Sequence, residues 1–537
     1  MTTAIRAAAT LATVLALALS GCGGGGGGGT TAPTGSTGST GGTGSNGAAT
    51  GDPQGPSASF AQQCAANNTL AAANLRTSTL DTEKKWLRAY VDEVYLWRDE
   101  VPRVDPSLPA YGGSDVQAAM DAYFDALLTP QRTDSGAFRD RFSFTYPTAK
   151  WNALFDSATE AGYGLEWKMT QDTPPRRIFI AQVEPGSPAD VAGLRRGDQL
   201  LTADGTSADV ADASGVERLT AAMYPDALGT TRTFVFTRTD GSTITRSLTS
   251  ANVTKTPVPM SKVVTTPAGT RAGYLLFNDH VAPSEAQLVT AMQGLQTAGV
   301  RELVLDLRYN GGGYLYIASE LAAMIAGSTA TSGKAFERLT YNSRRSSENE
   351  TTPFYTTSCY LVNGRCTREQ ALPQLSLTRI YVLAQSGTCS ASEAIINGLR
   401  GVGVDVVLIG GKTCGKPYGF NGKDNCGVTY LPIEFVGVNA KGFGDYSDGF
   451  EPTAGADTGT RFVKGCTVAD DPAHALGDPA EAMLATALGH LDTGRCPVLP
   501  GASGATVQAQ SSPTGEGATP LLARRHPGRD NRVRLPR

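Results

Sequence analysis

Three loops of the chain contain the residue types that an acyl-transfer site needs. Ser390, Lys416 and the glycines of 311–313 each lie shortly after an apolar run that is predicted to be a strand. A serine nucleophile, a lysine general base and the backbone N–H groups of a glycine loop together suit acyl transfer. The lysine can act as the base only if burial lowers its pKa from about 10.4 to near 7 or 8. The residue types therefore predict acyl transfer by a serine nucleophile and a lysine base.

The strands before these loops predict where the loops lie. The segments 300–308, 379–384 and 404–409 are apolar on nearly both faces, as parallel strands buried between helices are. Helical patterns over 314–327 and 391–399 follow the first two strands. Right-handed crossovers bring the loops that follow parallel strands to one edge of the sheet, where ligands bind in open α/β folds. We therefore expect the three loops to meet.

Two other chemistries use some of the same residue types. The sequence 411–413 (GKT) resembles the end of a phosphate-binding loop, but Val406 stands where that motif requires a glycine. The glycines of 311–313 do not make a GxGxxG motif, because Tyr316 occupies its last position. Nucleotide binding is therefore not predicted. His280 is the only histidine of the sheet region and stays open as the base of a serine–histidine alternative, although a packing or substrate-side role is preferred.

The segment 162–253 has short alternating strands bounded by turns, which predicts a β-rich module. Its sequence 185–205 (PGSPADVAGLRRGDQLLTADG) resembles a PDZ domain of the type found in bacterial proteases. The resemblance implies that a peptide adds to a sheet edge as a strand, with its terminal carboxylate bound by backbone N–H groups of one loop. A structural module without a ligand is the alternative. The implied loop residues are Gly162, Tyr163, Gly164 and Leu165.

The three loops are similar to motifs of the carboxy-terminal processing (tail-specific) serine proteases. The segments 306–313 (DLRYNGGG), 388–393 (TCSASE) and 412–416 (KTCGK) resemble the DLRxNxGG, SASE and TxGK patterns of that family, in the same order. A PDZ domain precedes the catalytic core in that family, and the likeness covers about residues 160–440. The resemblance implies these roles: Ser390 as nucleophile, Lys416 as general base, and the N–H groups of Gly312 or Gly313 and of Ala391 as oxyanion hole.

The chain departs from the family pattern at two points. Phe420 stands where the family often has a glutamine that orients the lysine, so no third catalytic residue is assigned. The interval of 26 residues between Ser390 and Lys416 is one residue longer than expected. Neither departure removes the nucleophile or the base. A catalytically inactive PDZ scaffold of the cell envelope remains the alternative function.

The first residues have the pattern of an export signal. Arg6 precedes the apolar run 7–19, which is too short to cross a bilayer. The run ends in 19–22 (LSGC), which resembles a bacterial lipobox and implies lipidation of Cys22. Gly23 after the cysteine resembles the outer-membrane sorting pattern. We therefore expect a lipid-anchored protein of the bacterial cell envelope, on the outer membrane and facing the periplasm.

Composition and periodicity predict a multidomain protein. The expected fold class is an α/β catalytic core with a mainly parallel sheet, a β-rich PDZ domain and an N-terminal helical domain. A last helix is expected over 478–491, with Asp478 as its N-cap. The expected segments are a signal peptide (1–21), a Gly/Ser/Thr-rich tether (22–59), the helical domain (60–161), the PDZ domain (162–253), the protease core (254–497, with an insertion near 328–377) and a disordered tail (498–537).

The cysteines predict disulfides. Eight cysteines remain besides Cys22, and an even number is typical of exported proteins with disulfide bonds. Cys414 lies two residues before Lys416, and Cys426 follows it on a Gly/Asn-rich loop, so we expect a Cys414–Cys426 bridge. Cys389 adjoins the expected nucleophile and is the rival partner for Cys414, because both follow neighbouring strands.

Charge and composition limit the possible functions. A net charge of −4 gives no support for nucleic-acid binding. The four histidines, without an HExxH motif or paired CxxC motifs, do not indicate a metal site, and no cofactor is expected. The expected partners are polypeptides with free C-termini and membrane lipid, and no oligomeric state is predicted. The sequence thus predicts an envelope-anchored serine endopeptidase that acts on unfolded or C-terminally tagged exported proteins.

Overall fold

A computed structural model of the chain describes residues 51–169, 171–225, 227–362, 365–497 and 532–533. The expected signal peptide, Cys22 and most of the expected tether lie outside these ranges. The expected tail also lies outside them, apart from 532–533. Within the described ranges, no helix is long and apolar enough to cross a bilayer.

Helices of the N-terminal region pack directly on the catalytic core. The first of them begins after Thr79, whose side-chain oxygen accepts the N–H of Thr82 as an N-cap. Its Trp86 is buried, with its ring 4.9 Å from that of Tyr430. The region shares one continuous hydrophobic core with the protease sheet, so the segment expected as a helical domain has no separate core. Its elements are α1 (Leu80–Val94), α2 (Val116–Ala126), β1 (Phe144–Pro147) and α3 (Thr148–Ser157).

The β-rich module has a hydrophobic core of its own around Phe234 and Phe236. The chain enters it along β2 (Thr159–Gly162) and leaves it along β9 (Ala251–Thr254), and these two strands pair antiparallel. The elements between them are β3 (Leu165–Met169), β4 (Ile178–Val183), α4 (Pro188–Val191), β5 (Gln199–Ala203), β6 (Thr206–Ser207), α5 (Ala213–Met223), β7 (Thr231–Thr237) and β8 (Thr243–Thr249). The sheet order is β3-β4-β5-β7-β8, with β6 beside β5.

The protease core alternates strands and helices. Its first half contains β10 (Met260–Thr265), β11 (Arg271–Leu276), α6 (Ala282–Thr297), β12 (Leu303–Asp306), β13 (Gly313–Tyr314), α7 (Leu315–Thr331), β14 (Ala335–Tyr341), β15 (Glu350–Pro353), β16 (Thr357–Val362) and β17 (Arg365–Ala371). Its second half contains β18 (Arg379–Ala384), α8 (Ala391–Gly401), β19 (Asp405–Gly410), β20 (Tyr418–Gly419), β21 (Lys423–Asn425), β22 (Val428–Leu431), β23 (Phe435–Val438), β24 (Glu451–Thr453), β25 (Phe462–Thr467) and α9 (Ala482–Thr493). A two-residue strand, β26 (Arg532–Val533), lies near the end of the chain.

A seven-stranded sheet forms the centre of this core. Its order is β10-β11-β12-β18-β19-β25-β24, and every neighbouring pair is parallel except β10 with β11. The predicted strands 300–308, 379–384 and 404–409 are β12, β18 and β19, which lie side by side. The predicted mainly parallel sheet, and with it the fold class, is therefore confirmed.

Two local predictions differ from the structure. The last helix begins after Glu481 rather than Asp478, because the carboxylate of Glu481 accepts the N–H of Leu484 at 3.0 Å. Asp478 instead accepts the N–H of Ala480, within the preceding turn. The expected insertion contains a hairpin formed by β16 and β17, but its strand β14 pairs with β23 of the core.

Candidate active site

The turn that carries Ser390 lies between β18 and α8. Ser390 is buried and is the residue immediately before α8, with a φ of 58°. A positive φ is uncommon for a residue other than glycine and costs on the order of 1 kcal/mol or more. The neighbouring Thr388 fixes this turn, because its hydroxyl donates to Leu307 O at 2.8 Å and accepts the N–H of Gln385 at 3.0 Å. The strained serine is thus held at the carboxyl edge of the sheet.

One buried carboxylate joins the serine turn to the lysine loop. Oε2 of Glu393 accepts the backbone N–H of Ser390 at 2.9 Å and that of Lys416 at 2.8 Å. Its Oε1 accepts the hydroxyl of Thr413 at 2.6 Å and the N–H of Gly415 at 2.8 Å. Burial raises the pKa of Glu393, and these four donors oppose that rise. Since both backbones bind the same oxygen, Ser390 and Lys416 lie side by side.

Two aromatic rings pack against the amine of Lys416. Nζ lies 4.5 Å from the ring centre of Phe420 and 5.3 Å from that of Phe142, and the side chain is fully buried. Phe420, which stands where the family often has a glutamine, therefore lies against the amine. The ring of the nearby Tyr418 stacks edge-on against Trp97 at 4.8 Å.

The glycine loop is fixed by Asn310 and His280. Asn310 Oδ1 accepts the N–H of Gly312 at 3.0 Å, and its carbonyl accepts the N–H of Cys389 at 3.1 Å. The backbone of His280 donates to Gly312 O at 3.0 Å and accepts the N–H of Tyr314 at 2.8 Å. Gly313 has a φ of 131°, and a Cβ there would lie 2.3 Å from His280 O, so only glycine fits. The predicted loops thus converge, since Asn310 bonds to the turn that carries Ser390.

The imidazole of His280 has a structural place in this loop. Its Nδ1 donates to Asn310 Oδ1 at 3.0 Å, and its ring packs on Phe277 at a centroid distance of 4.4 Å. Burial lowers the pKa of His280 to about 3, so the ring is neutral across the physiological range and is a weak base. This geometry favours the packing role predicted for His280 over the serine–histidine alternative.

A buried ion-pair cluster anchors the strand that leads into the glycine loop. Arg308 is fully buried, and its guanidinium contacts Asp306 at 2.9 Å, Glu481 at 2.8 Å and Asp470 at 2.8 Å. The nearby arginines hold the pKa of Asp470 at about 2, against the rise that burial alone would cause. Removing one member of such a buried cluster is typically costly, by about 3 to 5 kcal/mol. Arg308 of the DLR motif therefore fixes the end of β12.

The disulfides among the described residues correct one prediction. Cys414 pairs with Cys389, with Cα atoms 5.1 Å apart, and Cys426 pairs with Cys64 of the N-terminal region. The predicted Cys414–Cys426 bridge is therefore wrong. Cys389 and Cys414 follow the neighbouring parallel strands β18 and β19, whose ends share one edge, whereas Cys426 packs against the segment before α1, where Asn68 Nδ2 donates to its carbonyl. A third bridge joins Cys466 to Cys496, and the side chains of Cys359 and Cys366 are outside the described set.

The expected peptide-binding loop of the β-rich module lies beside the core. Gly164 has a φ of 78°, and a Cβ there would lie 2.2 Å from Ser187 Cβ. Tyr163 is buried in the module, with its ring 5.5 Å from that of Phe234. Gly162 ends β2, and Leu165 begins β3, an edge strand of the sheet. Gly164 and Leu165 line a small cavity shared with core residues, namely Lys255, Asn278 and Tyr309.

Arg196 of the β-rich module reaches the anchored strand of the core. Its guanidinium donates to Tyr309 Oη at 2.5 Å and to Asp470 Oδ1 at 2.6 Å. Tyr309 directly precedes Asn310 of the glycine loop, and its hydroxyl also bonds to Asp470. The module therefore contacts the same cluster that fixes the end of β12.

Two residues of this site escaped the sequence reasoning. From the sequence, Glu393 is identified only as part of the family motif and is given no role. Ser390-x-x-Glu393 is a capping-box pattern, however, and this pattern predicts that the serine N–H donates to the glutamate carboxylate. Phe142 comes from the N-terminal region and carries no local signal of its contact with Lys416.

Family models match three parts of the chain. Residues 82–144 match the peptidase S41 N-terminal domain, residues 179–222 a PDZ domain, and residues 271–421 peptidase family S41. The last match contains the glycine loop, Ser390 and Lys416.

Similar proteins agree with these models. A carboxyl-terminal-processing protease of Picosynechococcus is 26% identical over 259 residues, which are 48% of this chain and 54% of that protein. A chloroplastic C-terminal processing peptidase of Tetradesmus obliquus is 32% identical over 180 residues, 30% of this chain and 36% of that protein. The chain thus spans about half the length, or less, of the curated relatives it matches.

A solved structure shares the fold. The crystal structure of a protein assigned to the S41 proteases, from Bacteroides fragilis, superposes with a TM-score of 0.56 at 24% identity, covering 76% of this chain and 97% of that one. The chain therefore has the multidomain fold of peptidase family S41, with the N-terminal domain of that family and a PDZ domain ahead of the catalytic core.

Proposed function

We propose that the protein is a serine endopeptidase in which Ser390 is the nucleophile and Lys416 the general base. The observation that carries this proposal is the shared hydrogen bonding of both residues to Glu393 at the carboxyl edge of the parallel sheet. A nucleophile and a base must be adjacent for proton transfer, and a single carboxylate holds both backbones. The family matches indicate a serine-type peptidase and support this assignment.

The reaction follows from these positions. The Lys416 amine takes the hydroxyl proton of Ser390 while Oγ attacks the substrate carbonyl, and the proton then passes to the leaving amine. Water hydrolyses the acyl-enzyme by the same base. The developing oxyanion would be bound by the N–H groups of Gly313 and Ala391, each contributing about 2.7 to 4 kcal/mol. The N–H of Gly312 donates to Asn310, which makes Gly313 the better donor of the two glycines.

The proposed substrates are unfolded or C-terminally tagged polypeptides. A PDZ domain binds a free C-terminus by strand addition, and β3 is an edge strand beside the loop 162–165. The contact of Arg196 with Tyr309 and Asp470 brings that module against the strand leading to the glycine loop. The names of the relatives, carboxyl-terminal-processing proteases, support the same class of substrate.

We further propose that the protein is anchored in the cell envelope through lipid on Cys22. The support is the lipobox-like end of the apolar run 7–19, followed by a Gly/Ser/Thr-rich segment. Cys22→Ala should abolish incorporation of labelled fatty acid and move the protein from the membrane fraction to the soluble one. Unchanged labelling or unchanged fractionation would contradict the anchor.

Cleavage of denatured casein tests the catalytic assignment. Ser390→Ala and Lys416→Ala should each lower the rate at least about 1,000-fold, because each removes one chemical group of the reaction. Matched controls are Ser319→Ala, a buried helical serine that bonds to Pro353 O, and Lys412→Ala, an exposed lysine of the same loop. The controls should stay within about threefold of the unmodified protein. PDZ-dependent peptide binding without any cleavage by the unmodified chain would favour the scaffold alternative.

A further inference from the structure

A segment near the end of the chain lies against the glycine loop. The strand β26 (Arg532–Val533) pairs in parallel with β13 (Gly313–Tyr314), with Arg532 opposite Gly313 and Val533 opposite Tyr314. No other strand of the described structure pairs with β26. A segment that is distant in sequence therefore adds a strand beside the site.

The position of β13 makes this pairing significant. On one edge of β13, the carbonyl of Gly312 and the N–H of Tyr314 bond to the backbone of His280. Because backbone groups alternate in direction along a strand, the N–H of Gly313 points toward the other edge, where β26 lies. This N–H is the proposed oxyanion donor. A strand added at this edge therefore pairs with the backbone of the proposed oxyanion donor.

The lysine loop borders the same segment. The strand β20 (Tyr418–Gly419) begins two residues after Lys416 and lies next to β26. The segment therefore lies between the loop that carries the proposed oxyanion donor and the loop that carries the proposed base. A polypeptide substrate must lie between those two loops to be cleaved.

We propose that the edge of β13 is the subsite for the substrate backbone, and that the segment 532–533 occupies it as an internal competitor. Main-chain pairing holds an extended peptide with little regard to its side chains, which suits an enzyme of unfolded polypeptides. The substrate runs parallel to β13, as β26 does. The competitor restrains the enzyme until a substrate displaces it, and this inference rests on the proposed function of the same site.

Covalent attachment makes such a weak contact effective. A two-residue ladder binds weakly as a separate peptide, with a dissociation constant of about 100 to 300 micromolar expected for so few bonds. Linked segments reach effective concentrations on the order of 1 mM. The ratio of these values predicts that removing the pairing strengthens substrate binding about three- to tenfold.

The test uses the full chain carrying Ser390→Ala, which cannot cleave its own tail or the probe. Arg532→Pro and Val533→Pro are added together, because proline has no N–H to donate to the ladder. Ala523→Pro in the same background is the matched control, since it changes the tail outside the paired residues. Fluorescein-labelled denatured casein is the probe, and fluorescence anisotropy measures its affinity for each variant.

The double-proline variant should bind the probe about three- to tenfold more tightly than the Ser390→Ala parent, while the Ala523→Pro control matches the parent. A synthetic peptide of residues 528–537 (GRDNRVRLPR) should displace the probe from the double-proline variant. Equal affinities for all three proteins, or no displacement by the peptide, would overturn the inference.

Two further measurements separate this inference from the proposed function. In the chain with Ser390 intact, the double-proline change should lower KM about three- to tenfold and leave kcat unchanged. If the chain with Ser390 intact shows no cleavage and the anisotropy result still holds, the proposed activity is wrong, whereas the competition of the segment 532–533 for the edge of β13 is supported. If cleavage occurs and KM is unchanged, the activity stands and the internal competitor is wrong. A chain shortened after Pro497 checks that the effect does not arise from the prolines themselves.

Discussion

Replacing Glu393 by glutamine should disable the enzyme without changing any reacting group. Glutamine keeps the shape of the side chain but replaces one oxygen by an NH₂ group. Whichever way the amide turns, two of the four donors that bind Glu393 face that NH₂ and lose their acceptor. The bonds affected hold the serine turn or the lysine loop.

The magnitude follows from these bonds. Each hydrogen bond to a charged acceptor contributes about 1.5 to 3 kcal/mol, so two lost bonds cost about 3 to 6 kcal/mol. Removing a buried carboxylate offsets part of this, and we expect net destabilisation of about 2 to 4 kcal/mol. A displacement of about 1 Å between nucleophile and base lowers the rate about 100-fold. We therefore expect kcat/KM to fall about 100-fold or more.

A second buried carboxylate provides the control. Glu434 is 1% exposed, its pKa is also raised by burial, and it accepts bonds from Arg345 and Asn421. Glu434→Gln should be destabilised by a similar amount while keeping kcat/KM within about threefold. The assay combines thermal denaturation with cleavage of denatured casein below both transitions. Equal loss of activity in the two variants, or full activity in Glu393→Gln, would refute the role of Glu393 in positioning the loops.

The pH dependence of activity gives an independent check on Glu393. Burial raises its pKa above the ordinary 4.5, so the group takes up a proton as pH falls through that raised value. A protonated carboxyl would face donors on every side, so activity should decline on the acid side at a pH above 4.5. A raised carboxyl pKa favours the folded state in acid, so this loss should precede unfolding. Protonation of the Lys416 amine also lowers activity in acid, so Glu393→Gln should keep that decline and lack only the additional, steeper loss caused by Glu393.

Other predictions concern the disulfide, the PDZ loop and one titrating group. A mild dithiol should lower activity before the protein unfolds, because the Cys389–Cys414 disulfide joins the two site loops. If peptide mapping shows that this disulfide is reduced while activity is unchanged, the prediction is wrong. Gly164→Ala should weaken binding of peptides with free C-termini at least about tenfold by calorimetry, because its Cβ would meet Ser187 at 2.2 Å. Burial raises the pKa of Asp279 to about 7. The stability contributed by its protonated form is therefore lost as pH rises through 7. Asp279→Asn should raise Tm more at pH 8.5 than at pH 5.5, because asparagine stays neutral at both values.

Matched variants sharpen two of these tests. Gly186→Ala has a similar φ of 73° but no atom within 4 Å of the added Cβ, so it should bind peptides better than Gly164→Ala does. Amidated peptides should bind the PDZ domain more weakly than free acids do, and equal affinities would contradict carboxylate recognition. For Asp279, a pH-independent change in Tm would mean that the carboxyl does not titrate in this range.

Much of the core could be predicted because its signals are local. The strands β12, β18 and β19 are continuous apolar runs, and parallel pairing forces their following loops to one edge. Ser390 and Lys416 could therefore be placed together from patterning and motif. The sequence predicts the start of α9 a few residues too early, because Glu481 caps the helix while its carboxylate also binds Arg308, and that partner is distant in sequence.

The remaining features depend on contacts between distant segments. The pairing of Cys426 with Cys64 spans 362 residues, and sequence spacing favoured the nearer Cys414 instead. Phe142 reaches Lys416 only because the N-terminal helices share a core with the protease sheet. The pairing of Arg532 with Gly313 is of the same kind, since neither residue type carries a pairing signal. Such contacts are set by tertiary packing, which a single sequence does not reveal.

The ribbon formed by β2 and β9 also makes the PDZ domain exchangeable. Gly162 and Ala251 are register partners, so the chain leaves the core and returns to it at neighbouring points. A short turn could join these two residues and close the ribbon as a hairpin, while the separate hydrophobic core of the module leaves with it. The same two positions could accept a different recognition domain whose termini lie close together. The protease core could thus be redirected to new polypeptides by grafting at this ribbon, without redesign of the sheet edge that performs the cleavage.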